Sequence, residues 1–302
     1  MGTIKKHRII AELDRAIIEK KTVQDIDALA KALAAELSKA HSEKVVNALA
    51  EIRRQLMALP ADATDADVDA ILAVTDKHMG APLGAETRSE LDKIVEAAYA
   101  QGIAEVGVKP VFGAPDVKSL ATLQEDLFFW SDHYYEDNVK DTLHDELTEY
   151  FEEGLTRDQL AKKIEVAFRG VADSGDDYYD LLADHTATKV REIGRLSGYD
   201  AAGIIKIVVR AQLDNRTSAI CRALHGTVIE TIYLQRQADR YLAACKTKNK
   251  EKIKKSWPWL GDKDAAKLGN DKAIAKAVKK GTVGMPPYHA RCRTITVAHF
   301  ES

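Results

Sequence analysis

Up to about residue 200, apolar side chains recur every three to four positions, and near Gly203 that period changes. Leu91, Ile94, Val95 and Ala98 lie on one helical face, as do Val139, Leu143, Leu147, Tyr150 and Phe151. A further helix, from about Asp177 to Leu196 and ending near Gly198, presents Tyr178, Leu181, Leu182, Val190 and Ile193. The run GIIKIVVRA, Gly203 to Ala211, is short and β-branched, which predicts a strand, and TVIETIYL and RTITVAHF predict two more. The expected class is therefore α+β: a helical N-terminal region, then a mixed domain of helices and a small antiparallel sheet.

Local signals place the ends of several elements. Thr87 and Glu90 in TRSE have capping-box form, and the spacing predicts that a helix starts there. EEGLTRDQL interrupts the helical pattern at Gly154, after which Thr156 and Gln159 form a second box flanked by Leu155 and Leu160 as a hydrophobic staple. The segment VKPVFGAPD, Val108 to Asp116, reads as a linker, so the expected organisation is a helical region over 1–112 and a second domain over 113–302. A length of 302 residues is also what two domains need. The net charge of -3 gives no global attraction to nucleic acid, and no apolar run approaches the roughly 20 residues of a membrane span. The N-terminal stretch is charged every few residues and has no signal-peptide core, so the chain is expected to stay where it is made. Three cysteines argue against a secreted disulfide framework and for thiol or metal chemistry in a reducing compartment.

Two of those cysteines sit beside histidines. In LDNRTSAICRALHGTVIE, Thr217 is placed to cap a short helix ended by Gly226, which puts Cys221 and His225 one turn apart. In GMPPYHARCRTITVAHF, His289 and Cys292 are three apart, behind Pro286 and Pro287, whose fixed φ angles stiffen the approach. Two thiols and two imidazoles at these spacings suit a tetrahedral zinc set of Cys221, His225, His289 and Cys292. They suit equally a packed core of cysteines and hydrogen-bonded histidines, or a reactive Cys–His pair for which the sequence offers no third, orienting residue. Between the two stretches, Cys245 to Gly281 holds twelve lysines against four acidic residues, a local net of +8 in an otherwise acidic chain. Lys252, Lys254, Lys255, Lys279 and Lys280 are its candidates for contact with DNA phosphates. The competing reading is a solvated insertion whose WPWL packs on the domain.

Taken in order, EEGLTRDQLAKKI, DHTATKVREIGRLSG, IIKIVVRA, LDNRTSAICRALHGTVI, an insertion and PPYHARCRT resemble the phage Mu F-like head morphogenesis proteins over roughly Leu127 to Phe300. Asp214, Arg216, Thr217, Cys221, Gly226, Pro286, Pro287, His289, Cys292 and Arg293 carry the resemblance. It implies a structural minor head protein of a tailed phage or prophage, associated with portal and capsid assembly and, through its lysines, with DNA packaging or ejection. The implied location is the virion head, and the host cytoplasm during assembly. The resemblance implies no enzymatic activity, and the motif reads as a fold clamp in which Asp214 and Arg216 bond to backbone or to each other. The alternative is a metal- or Cys/His-dependent nuclease or hydrolase acting during infection. Ser218 and Thr294 stand where family members commonly have cysteine, His225 where an acidic residue is common, and His185 and Ala187 where arginine and glutamate are common. Those departures favour packing with hydrogen-bonded histidines and no cofactor, with zinc as the alternative.

Overall fold

The computed structural model describes residues 2–59, 64–153 and 155–300, with side chains from Ile26 onward except those of Asp65 and Arg157. Among the described residues seven helices lead into the sheet region: α1 Gly2–Ala58, α2 Asp65–Met79, α3 Ala85–Glu105, α4 Ala114–Asp132, α5 Tyr134–Asn138, α6 Lys140–Glu152 and α7 Arg157–Ala201. Then come β1 Lys206–Arg210, α8 Ala219–Leu224, β2 Val228–Glu230, α9 Thr231–Cys245, α10 Lys250–Ser256, α11 Asp262–Lys267, α12 Asp271–Lys280 and β3 Ile295–Ala298. The three strands form one antiparallel sheet in the order β2-β1-β3, with Ile207 opposite Ile229 and Val209 opposite Thr296. The chain is α+β, mostly helical, as the change of period predicts.

Two compact units divide the chain: Met1–Ala32, Asp92–Asp126 and Ala183–Ser302 form the first, and Leu33–Leu91 with Leu127–Leu182 the second. The position between residues 112 and 113 falls inside the first unit, in the loop between α3 and α4.

In the second unit an aromatic cluster gathers His41, Tyr134, Tyr178 and Tyr179, with the Tyr134 and Tyr178 rings stacked at 4.4 Å. Asp76 of α2 accepts hydrogen bonds from the Tyr135 hydroxyl and from His144, each at 2.8 Å. The helix expected to begin at Asp177 is instead continuous with the one that begins after Thr156. The Thr156–Gln159 box opens α7, the Gln159 carboxamide oxygen accepting from the Thr156 backbone at 3.0 Å, and α7 runs unbroken through Gly170 and Gly175. At Gly175 a side chain would fall on the His41 ring, so this glycine serves close packing and not termination. The interruption expected at Gly154 lies outside the described residues. At the other box, Arg88 N–H already bonds the Gly84 carbonyl at 2.9 Å, so α3 starts before Thr87.

In the first unit α3 crosses α7 at two glycines. A Cβ on Gly102 would fall on the Arg191 carbonyl, and one on Gly194 on the Tyr99 carbonyl. Beside this contact is a buried ionic group: Arg195 donates to Glu105 at 2.7 Å, and Arg191 donates to Glu192 at 3.1 Å. Glu192 in turn accepts from the Thr296 hydroxyl at 2.6 Å and its backbone N–H at 3.2 Å, while Arg195 donates to the Thr296 carbonyl. Side chains of α7 thus hold the outer edge of β3. The run TVIETIYL is strand only to Glu230; from Thr231 it belongs to α9, because Leu234, Ala238 and Tyr241 recur at helical spacing and are buried.

Gly102→Ala and Gly194→Ala should each destabilise the protein by about 1–3 kcal/mol, because backbone and not a flexible side chain must give way. Gly170→Ala, with open space around it, should be neutral or slightly stabilising by the ordinary helix preference. Urea midpoints of the three variants test this ordering.

Candidate functional site

The two motif stretches, about seventy residues apart in sequence, meet beside the sheet. The first leaves β1, turns through Asp214–Thr217 and enters α8. Asp214 Oδ1 accepts the Arg216 N–H at 2.9 Å, and Thr217 Oγ1 accepts the Asp214 N–H at 2.8 Å. Thr217 serves this turn and does not cap the helix; the cap is Ser218, whose hydroxyl accepts the Cys221 N–H. Arg222 closes the turn from the helix side by donating to the carbonyls of Thr217 and Asp214. Gly226 ends the segment at φ 82°, in the left-handed region, with its N–H on the Val209 carbonyl at 2.8 Å.

The second stretch arrives through buried Pro286 and Pro287, joined by a cis peptide bond. Gln237 of α9 accepts the Met285 N–H at 2.6 Å, and the Tyr288 hydroxyl donates to the Gly284 carbonyl at 2.8 Å. Arg293 then makes a two-pronged ion pair with Asp214, both contacts at 2.8 Å. Sequence reasoning paired Asp214 with Arg216 or backbone; the strongest partner is Arg293, from the other segment. Arg216 contributes its backbone N–H, and its side chain is exposed. The Arg293 guanidinium holds the Asp214 carboxyl well below the usual carboxylate range.

At the centre Cys221 Sγ lies 3.7 Å from Cys292 Sγ and 3.1 Å from His289 Nε2, which is also 2.8 Å from Ser218 Oγ. Donor atoms of Cys221, His289 and Cys292 all fall within 4.8 Å of one another. Both cysteines are buried and His289 is half-buried. The Nδ1 of His289 is 2.7 Å from the Ala290 carbonyl, which fixes that nitrogen as the protonated one and leaves Nε2 facing the sulfurs. The S–H of Cys292 draws the Cys221 thiol down to about 6 against the upward push of burial, assisted by the hydroxyls of Ser218 and Thr294. In the same bond Cys292 is pushed up to about 12, with burial adding to the shift. Proximity to Cys292 raises His289 against the lowering effect of burial. The arrangement brings two thiol sulfurs and an imidazole nitrogen together, with the Cys292 S–H directed at Cys221.

His225 does not join this group. It follows the last turn of α8 in extended backbone, and its Nδ1 accepts the Ala211 N–H at 3.1 Å. The four-residue spacing from Cys221 was sound for a continuing helix, but α8 ends at Leu224. Ser218 and Thr294, read from sequence as missing thiols, instead bond directly to the cluster. The orienting group that sequence inspection did not find is a main-chain carbonyl, which carries no residue signature.

The insertion docks on the second stretch. Trp257 is buried and donates to the Pro287 carbonyl at 3.2 Å, and Leu260 N–H bonds the Tyr288 carbonyl at 2.7 Å. Trp259 donates to His185 at 3.0 Å. Lys252, Lys254 and Lys255 on α10 and Lys279 and Lys280 on α12 are all exposed. Among the described residues no helix is long and apolar enough to cross a membrane.

No protein-family model, curated protein or solved structure matches this chain.

Gly226→Ala should cost about 1–2 kcal/mol, the left-handed penalty alone, since the space around it is open. Asp214 contributes stability that is present above the ordinary carboxylate pKa and lost as pH falls toward its depressed folded value. Asp214→Asn should therefore lower the melting temperature at neutral pH, and the gap from the parent protein should close in strong acid. Calorimetry across that pH range checks both signs.

Proposed function

We propose that this protein is a structural minor head protein of a tailed phage or prophage, acting in portal-associated capsid assembly. The reading starts from the ordered resemblance of the two motif stretches to Mu F-like proteins. The observation that carries it is that the residues responsible for the resemblance interlock the two stretches: Asp214 pairs with Arg293, Cys221 with His289 and Cys292, and Gly226 makes the turn back to the sheet. A groove of about 610 Å³ in the first unit is lined by Tyr99, Asp116, Ile193, Leu196, Ser197 and Leu242 among others, and neither stretch contributes to it. The motif thus works as a clamp that joins chain segments, which is what an assembly component requires. Its site of action is the virion head, reached from the host cytoplasm during assembly.

Deleting the gene from the phage or prophage that encodes it should leave DNA replication intact and yield misassembled or non-infectious heads. The protein should sediment with procapsids or portal. Normal particle yield and infectivity from the deletion would overturn the assignment.

The exposed lysines of the insertion support double-stranded DNA as a second partner. A charge of this kind binds through phosphates, so affinity should fall steeply with salt, and replacing Lys252, Lys254, Lys255, Lys279 and Lys280 by glutamine should flatten the slope of log affinity against log salt by up to about 4.5. Fluorescence anisotropy with a short duplex measures it; an unchanged slope removes DNA from the proposal.

The Cys221–His289 contact favours one other reading, a Cys/His-dependent enzyme acting during infection. It requires Cys221→Ala to abolish a turnover while the folded protein still joins heads. The assembly reading expects that variant to act only through stability.

A further inference from the structure

The geometry points to a zinc site at the joint of the two stretches, with the ion held by Cys221 Sγ, Cys292 Sγ and His289 Nε2 and with Ser218 Oγ beside the fourth corner. Zinc–sulfur bonds of about 2.3 Å at the tetrahedral angle place two sulfurs about 3.8 Å apart. The two sulfurs here are 3.7 Å apart, and the nitrogen is 3.1 Å from one of them. Such a spacing is one edge of a zinc tetrahedron, with little movement needed to open the others.

The surroundings fit as well as the donors. Histidines that ligate metal normally donate their other ring N–H to a carbonyl or carboxylate, and His289 Nδ1 does so to Ala290. Thr294 bonds the Cys221 sulfur from the strand side. Two thiolates balance the charge of a divalent ion, so filling the site buries no net charge. The donors also come from two segments held independently, α8 by its Ser218 cap and the proline loop by Gln237 and Trp257. The site is thereby organised before the ion arrives. The ligand set differs from the one that sequence spacing suggests: His225 is committed to Ala211, and the Ser218 hydroxyl lies 2.8 Å from His289 Nε2. This inference does not depend on the head-protein reading and survives its failure.

The test uses the full chain produced without a histidine tag, kept reduced with a phosphine, stripped of metal and titrated with Co²⁺. The expected result is saturation near one cobalt per chain, with thiolate-to-cobalt charge transfer in the near ultraviolet and the intense visible bands of a tetrahedral site, all reversed by Zn²⁺. Cys221→Ser and Cys292→Ser should each lose charge-transfer intensity. Thr294→Val should weaken binding by about tenfold, and His225→Ala should leave the spectrum unchanged. Weak octahedral bands without charge transfer, or no binding by folded protein, would overturn the assignment. So would a spectrum that survives both cysteine variants or is lost in folded His225→Ala. Should the cysteine variants fail to fold, zinc-edge X-ray absorption of the parent protein decides: two sulfurs in the shell support the site, and a shell without sulfur overturns it.

Discussion

The crossing of α3 and α7 at Gly102 and Gly194 is the constraint on which the rest of the first unit depends. It brings two backbones to a distance that no side chain tolerates. That closeness lets Glu105 of α3 reach Arg195 of α7 inside the protein, where Arg191, Arg195 and Glu192 are all but inaccessible to solvent. A buried pair is weak evidence for stability in itself, since desolvation consumes most of its Coulomb energy, but removing one partner leaves a charge stranded. The group is therefore a device for position. Its two outward bonds, from Glu192 and Arg195 to Thr296, attach β3 to α7 and fill the strand edge that would otherwise be left open.

From β3 the constraint passes to the chemistry. Thr296 and Thr294 lie two apart, so fixing the strand also fixes Thr294 against Cys221, and Cys292 follows within two residues. Antiparallel pairing of β1 with both β2 and β3 brings the loop that follows β1 beside the loop that precedes β3. Asp214 and Arg293 then close the pair of loops with a fork of two hydrogen bonds. Because a carboxylate and a guanidinium match in that geometry, a lysine at position 293 would keep the charge and lose the fork. The insertion is held by main-chain bonds to Pro287 and Tyr288, which leave its lysines facing water. One short loop thus serves as a support for both the thiol cluster and the basic surface.

The thiol cluster holds Cys221, Cys292 and His289 within reach of one another. The Cys292 S–H, assisted by the hydroxyls of Ser218 and Thr294, draws the Cys221 thiol down to about 6. In the proposed zinc site Cys292 would give up its proton and the ion would take the place of those hydrogens. The proposed site would keep these donor positions, because the sulfur–sulfur contact and one edge of a zinc tetrahedron have similar lengths. The cluster ties α8 to the loop before β3.

The helical period up to residue 200, the β-branched run after Gly203, the Thr156 box and the left-handed glycine at 226 were all legible in the sequence. Each is decided within a few residues by sterics or by the partners of a helix end. The joining of CxxxH to HxxC was readable only as an expectation. Which donors converge was not readable, because that depends on where α8 stops: one more turn would have carried His225 to Cys221, and its backbone turns away at Leu224 instead. The continuity of α7 through Gly175 was likewise invisible locally. Glycine there reads as a break, and only the His41 ring packed against it shows that the missing side chain is what the helix needs. Local pattern determined the elements and the polarity of the motif; tertiary packing decided which cysteines and histidine converge, the Asp214–Arg293 pair and the place of the insertion, because each is a contact between residues that the sequence separates by tens of positions.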